Sequence, residues 1–558
     1  MKKFCLIVIC LLQFVGLTHA QISTFQIPQS FSLPNLTFNS DNTLFIDAPN
    51  ITALEKQDSD IPFKPQTCAY LISVEEDFFD KAKRIKTPSN DIYLLKIKAE
   101  GALALNLYSN NFYLPEGCEL YLWNTDKTKC LGAFTADNNS QDGYFATDYV
   151  YGEEMIIELD CPTTQRPFVR LMIEKIGYFY RDVINFEQEK LLNEDQDLPQ
   201  KDYRASESCN VNVNCSEGDN FRLVQRSVVR LLIPYSSYES AWCTGTLINN
   251  TNNDYTPYVL TAAHCIEGIQ NMKYARQTVF YFNYETSSCK NSTKEPTYSS
   301  LTGCKVLAYG DKYGEGDSDY MLLQINNSIP KSINAYWAGW TRSTDNFSNC
   351  VGIHHPSGDV KKISTVDGKI QNIGYDEGVW DYDTHIMVLW KQTSNGYGVT
   401  EGGSSGSALF NADQRIIGTL SGGESSCYAE DDHKVDWYGR FDVTFNYLKS
   451  WLDPHGYNST GLKGLDNTVS LNTLNNQPFN LTIYPNPVSN NLSISLPYSL
   501  PNAVLTILDR LGRTLYSQKL SSLDTHLNID VSNLTNGVYF VRIYHKGDYI
   551  IKKIIVEK

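Results

Sequence analysis

The sequence predicts an all-β protein built as three globular segments, and three observations carry that reading. Apolar and polar residues alternate over short runs, as in Leu103-Ala104-Leu105-Asn106-Leu107-Tyr108, Glu119-Leu120-Tyr121-Leu122-Trp123 and Met155-Ile156-Ile157-Glu158-Leu159; this is the period of half-buried strands. Two polar stretches, between Phe186 and Arg204 and over residues 467–480, interrupt the apolar pattern and read as linkers. Cysteines fall in even numbers by segment: four between residues 21 and 204, eight between 205 and 466, and none after. Even counts in an exported chain predict disulfides within domains, and no C-x-x-C pair argues for zinc.

In chain order, Lys2 and Lys3 precede an apolar run from Phe4 to Leu17, and Thr18-His19-Ala20 offers small residues for a signal peptidase, so residues 1–20 are expected to be a signal peptide. Cys10 follows Ile9 inside the apolar run, which argues against a lipid anchor there. No later segment reaches the roughly 18 to 20 apolar residues of a membrane helix. Residues 21–204 are expected to form a β-sandwich with no catalytic role of its own, since no histidine occurs between His19 and His264. Residues 205–466 form the middle segment and residues 481–558 a small all-β module, entered through Tyr484-Pro485-Asn486-Pro487 and carrying a glycine turn at Gly537.

With 558 residues, 42% hydrophobic and 20% charged, the chain has material for several cores. Its net charge of -16 and pI near 5.1 argue against nucleic acid or an anionic membrane as partner, because both need a basic surface.

The middle segment carries chemistry. Thr261-Ala262-Ala263-His264-Cys265, Asp319-Tyr320-Met321-Leu322-Leu323 and Gly403-Ser404-Ser405-Gly406-Ser407 follow one another, in the order used by chymotrypsin-like serine endopeptidases. A serine hydroxyl is a poor nucleophile near neutral pH; it needs an imidazole to take its proton and a carboxylate to hold that imidazole. His264, Asp319 and Ser405 supply one of each. Asp317 shares a strand face with Asp319 by periodicity, and the match to the family string favours Asp319. The glycines around Ser405 permit a sharp turn that aims the amides of Gly403 and Ser405 at one point, an oxyanion hole.

Two positions depart from the ordinary trypsin-like pattern. Ser404 stands where those enzymes carry the aspartate that pairs with a new amino terminus, and Val399 where they carry the acid that binds basic side chains. Activation is therefore expected to work by removal of residues 21–204 as a propeptide, with Lys201 and Arg204 in the joint as cleavage points.

The segment resembles bacterial lysyl endopeptidases through Ser208-Cys209-Asn210-Val211, Cys243-Thr244-Gly245, Trp337-Ala338-Gly339-Trp340, Ile353-His354-His355-Pro356, Gly398-Val399-Thr400-Glu401 and Asp436-Trp437-Tyr438-Gly439-Arg440. The resemblance implies a double β-barrel fold and puts Asp436 at the base of the pocket for a substrate lysine, rather than in the acidic surface run of Glu430, Asp431 and Asp432. It implies that Ser421, Gly422 and Gly423 lie on the strand that pairs with substrate. Family members carry a histidine at the Ser421 position, and Trp380 stands near a family tryptophan that stacks beside the catalytic imidazole. It implies the bridges Cys209 to Cys427, Cys215 to Cys289 and Cys243 to Cys265; elimination then pairs Cys304 with Cys350. His354 and His355, adjacent on a strand, point apart and are expected to be structural. The last segment, with Pro485-Asn486-Pro487, Asn536-Gly537-Val538-Tyr539 and a Lys-rich end, resembles the C-terminal sorting domain of the type IX secretion system of Bacteroidota.

The expectation is a monomeric, secreted or surface-attached serine endopeptidase cleaving after lysine, with protein and peptide substrates, the type IX machinery as export partner, and no cofactor or metal. A carboxylate attracts arginine too, so a Lys/Arg enzyme is the alternative. An inactive homologue serving as a surface-binding protein is a third reading, opposed by the three intact strings.

Overall fold

The structure, a computed structural model, describes residues 27–183, 206–467 and 481–558 apart from short internal stretches, of which 60–64, 311–317 and 371–383 bear on the site. The chain divides into two compact units, Met1–Asn467 and Thr468–Lys558. The expected signal peptide, the expected linkers apart from residue 467, Lys201, Arg204, Asp317 and Trp380 lie outside the described residues.

The N-terminal part of the first unit is a sandwich. One sheet contains Asp91–Ala99, Glu119–Asn124 and Glu154–Cys161; the facing one contains β1 (Thr67–Asp77), Ala104–Ser109 and Arg170–Phe179. Alternation sends Leu95, Ile97, Ile157 and Leu159 from one sheet, and Leu105, Leu107 and Ile176 from the other, into one buried cluster, as packed sheets require.

Two barrels follow. The first is built from β2 (Val228–Pro234), β3 (Glu239–Leu247), β4 (Tyr258–Thr261), β5 (Val279–Phe282), β6 (Ser299–Thr302), β7 (Cys304–Gly310) and β8 (Tyr320–Ile325). β2 pairs with β3, β3 with β4, β4 with β8, β8 with β7, β6 with β5 and β5 with β2. Closure depends on the corner between β6 and β7, where Gly303 takes a φ of +85°. Glycine reaches that left-handed conformation without Cβ strain, so one bent segment pairs with β5 by its first half and β8 by its second.

The second barrel uses β9 (Val351–His354), β10 (Lys362–Thr365), β11 (His385–Leu389), β12 (Ala408–Phe410), β13 (Arg415–Gly423) and β14 (Val435–Arg440). Pairing runs β10, β9, β12, β13, β14, β11, and a bridge between Val366 and Trp390 returns the last strand to the first. α1 (Phe441–Leu452) buries Phe441, Phe445, Leu448 and Leu452, the spacing of one helix face, against Trp340 and Ile416.

The second unit is a sandwich of its own, with Leu492, Ile494, Leu505, Ile507, Val541 and Ile543 in its core. Asn486, between the two prolines, accepts from the Ile555 N–H at 2.8 Å and donates to Lys553 O at 3.1 Å, which pins the basic terminal strand to the entry turn. No helix among the described residues is long and apolar enough to cross a membrane.

Disulfides join Cys209 to Cys427, Cys215 to Cys289 and Cys243 to Cys265. The expected pairing of Cys304 with Cys350 is not formed. Both are buried free thiols; Cys304 packs in the first barrel and Cys350 in the second, and elimination ignores that separation. In the N-terminal sandwich Cys118, Cys130 and Cys161 are likewise unbridged, contrary to the expectation from even counts.

Candidate active site

His264 sits in a single turn, Ala263–Cys265, immediately after β4. The bridge to Cys243 ties that turn to β3. Asp319 just precedes β8, fully buried, and its φ of +52° turns the carboxylate back over the histidine. One carboxylate oxygen lies 2.7 Å from His264 Nδ1 and the other accepts the His264 backbone N–H at 3.0 Å. An acceptor at Nδ1 keeps the proton there and leaves the lone pair of the neutral ring on Nε2, where a general base needs it.

The Ser405 loop is clamped from several sides. Ser405 O accepts from Thr244 N–H at 2.8 Å and lies 3.8 Å from Cys265 Sγ, beside the histidine turn. Thr244 Oγ1 donates to Gly403 O at 2.9 Å. Gly403 has a φ of +91°, and a Cβ there would stand 2.9 Å from His355 O, so only glycine fits the turn. Among residues 403–407 Ser405 alone is partly exposed.

Ser404 has a partner that sequence reasoning did not find. His354 Nδ1 lies 2.8 Å from Ser404 Oγ, and His354 Nε2 lies 2.8 Å from Ser364 Oγ. Burial and the nearby Lys362 push the His354 pKa down to about 3, so the ring is neutral and bridges two hydroxyls. Ser404, the residue before Ser405, is thus held by a neutral contact. His355 points the other way and donates to Asp359 O at 2.9 Å. The pair was expected to be structural; nothing in its sequence marked Ser404 as the target.

Asp436, on β14, is buried. Its Oδ2 accepts from Thr400 Oγ1 at 2.7 Å, Ser425 Oγ at 2.7 Å and Trp390 Nε1 at 2.5 Å. A Cβ on Gly423 would collide with Asp436 Oδ1, so the glycine makes room for the acid. Burial raises the Asp436 pKa to about 6 despite the three donors, as desolvation does to a carboxylate. Asp431 and Asp432, by contrast, are 80% exposed. Val399 is fully buried. Ser421 sits at a bulge in the pairing of β13 with β14, with its Oγ 3.0 Å from His385 Nε2; an imidazole therefore does stand against this position, supplied by β11. Ser425, Trp390 and His385 are residues the sequence did not single out, and Thr400 entered only as part of a family string. No group of three or more metal-ligating side chains occurs among the described residues.

Residues 203–439 match the family described as lysyl endopeptidase, C-terminal domain, and residues 482–557 match the secretion system C-terminal sorting domain. A lysyl endopeptidase of Pseudomonas aeruginosa is 27% identical over 329 residues, 55% of this chain and 62% of that protein. Among solved structures, the HtrA-type protease AlgW with a tripeptide aligns at 12% identity and TM-score 0.30 over 61% of this chain and 97% of its own. The serine endoprotease from Yersinia pestis aligns at 12% identity and TM-score 0.29, over 62% and 98%.

Proposed function

We propose that this chain is an exported serine endopeptidase that hydrolyses peptide bonds after lysine and is made as a proenzyme. The observation that carries the reading is the double engagement of His264 by Asp319 beside the clamped Ser405 loop. Ser405 Oγ attacks the substrate carbonyl while His264 Nε2 takes the hydroxyl proton; the amides of Gly403 and Ser405 receive the charge that develops on the carbonyl oxygen. His264 then delivers the proton to the leaving amine, and water opens the acyl-serine. Asp436 meets the substrate ammonium in a charge-assisted contact. The sorting-domain match supports export to the cell surface or beyond by the type IX route. Digesting a mixed peptide library with the purified processed protein tests the reading: cuts cluster after lysine if it holds, and after both basic residues if arginine is also accepted.

Lysine preference is expected to depend on pH through Asp436. Its carboxyl is neutral below about 6 in the free enzyme, and a neutral acid offers an ammonium no ion pair. The ratio of kcat/KM for a lysyl over a leucyl peptide should therefore be full above that pH and fall as pH drops through it. Taking the ratio cancels the titration of the triad, which serves both peptides. A ratio flat between about pH 5 and pH 8 would remove Asp436 from the pocket.

The mature amino terminus is expected between about residues 202 and 206. Just past the joint, Ser206 Oγ donates to Asp359 at 2.6 Å and the Glu207 N–H to Glu401 at 3.0 Å, so the chain is tied down from there onward. Amino-terminal sequencing of the active secreted form checks this; finding residue 21 still attached would contradict the proenzyme reading.

A further inference from the structure

The N-terminal sandwich lays one of its strands along the candidate cleft. β1 adds antiparallel to β3, with Tyr70 opposite Glu239, Ala69 opposite Ser240 and Thr67 opposite Ala241. The Leu71 N–H donates to Tyr238 O at 2.8 Å, and the Trp242 N–H donates to Gln66 O at 3.2 Å. β3 is also the strand that reaches the catalytic residues: Cys243 is bridged to Cys265, and Thr244 N–H holds Ser405 O. Gln66 is therefore paired only two residues, about 7 Å of strand, from the residue that grips the nucleophile.

The Gln66 side chain rests on Gly402, next to the oxyanion glycine; a Cβ on Gly402 would stand 2.5 Å from Gln66 Oε1. Pro65, just before it, is buried. From Pro65 the strand runs away from Ser405 in the amino-to-carboxyl direction, the course a substrate takes after its scissile bond. Added strands of this kind bind through main-chain hydrogen bonds that do not depend on side-chain identity. The contact is broad: Ala69, Leu71 and Tyr149 of the sandwich share a buried cluster with Trp242, Tyr281 and Tyr284 of the barrel, and Tyr281 Oη donates to Asp148 at 2.7 Å.

We propose that the strand from Pro65 to Tyr70 is a built-in substrate mimic that fills the leaving-group side of the cleft, and that Pro65 keeps it from being cut. This rests on the lysyl protease reading above. The residue before Pro65 is Lys64; it lies outside the described residues, and its identity alone enters the argument. Cleavage after a lysine requires Ser405 Oγ to bond to the lysyl carbonyl carbon while the C–N bond breaks and His264 returns the hydroxyl proton to the departing nitrogen. At a lysyl–prolyl bond that nitrogen belongs to a ring, with no N–H and a fixed φ. The ring carbon occupies the space through which the nitrogen lone pair must turn toward His264, so the bond resists. The strand then inhibits without being consumed, and the enzyme is released only by cutting elsewhere, at the joint before Ser206.

The test is Pro65→Ala in the full secreted chain, compared with the parent chain, with each preparation also assayed on a lysyl peptide. A new amino terminus at position 65 in the variant and none in the parent, read by mass spectrometry, supports the proposal. A variant that, once processed at the joint before Ser206, cleaves the lysyl peptide yet stays intact before position 65 overturns it and leaves the protease reading standing; failure of both processed enzymes on the peptide overturns the protease reading itself. A second measurement holds even if that variant does not fold. In the unprocessed Ser405→Ala chain, the Trp242 amide should exchange with solvent at least about a hundredfold more slowly than in the processed enzyme. Equal exchange in the two forms would show that the strand does not occupy the cleft.

Discussion

Ser405→Ala is expected to lower peptide hydrolysis by about four to six orders of magnitude while leaving the fold intact. The loss is large because, in this reading, the hydroxyl oxygen is the atom that forms the covalent bond to substrate; what remains is the modest catalysis of the amide donors. The fold persists because the loop is held through other atoms: the carbonyls of Ser405 and Gly403, gripped by Thr244, and the Ser404 hydroxyl beside His354. None of these contacts uses the Ser405 side chain. Steady-state rates on a lysyl peptide, alongside thermal unfolding of both proteins, measure the two halves of the claim. Substantial activity in the variant, or failure of an organophosphonate to label Ser405 in the parent, would end the triad reading.

Asp436→Asn should reduce kcat/KM for lysyl peptides by about two to four orders of magnitude, the equivalent of roughly 3–5 kcal/mol for a buried ammonium left without its partner. Peptides with uncharged residues at the cleavage point should be affected far less, because Ser405, His264 and the amide donors act on the peptide bond common to all substrates. Stability separates this effect from damage to the fold. The folded-state pKa of Asp436, about 6, lies above the ordinary aspartate value of 3.8, so ionised Asp436 opposes folding; that penalty is absent below the lower value and complete above the higher one. Asparagine removes the charge and can still accept from Thr400, Ser425 and Trp390, so at neutral pH the variant should unfold no more easily than the parent. Equal loss on every peptide would make Asp436 structural. Full retention of lysine preference would move the role to another acid.

What could be read directly from the chain was whatever depends on short stretches. The all-β class follows from alternation within single strands, the sandwich of residues 27–183 among them. The turn around Ser405 is legible because Gly403 and Gly406 must adopt positive φ, at +91° and +82°, and a positive φ selects glycine wherever the fold lies. The three bridges formed came from family resemblance. Arithmetic on the remainder failed for Cys304 and Cys350, since counting carries no information about which barrel a cysteine packs in.

By itself, then, the sequence determined the strand class, the order of the His264, Asp319 and Ser405 strings, and the presence of an acid at position 436. Tertiary structure alone decided the partners. Trp390, Thr400 and Ser425 converge on Asp436 from three places, His354 reaches Ser404 across 50 residues, and β1 finds β3. A local turn is set by backbone sterics of its own residues, whereas these contacts are set by strand register and barrel closure, which sum small terms over the whole chain. That is why the three strings could be read along the line of the sequence, and why the neutral histidine clamp, the donors around Asp436 and the pairing of β1 with β3 could not.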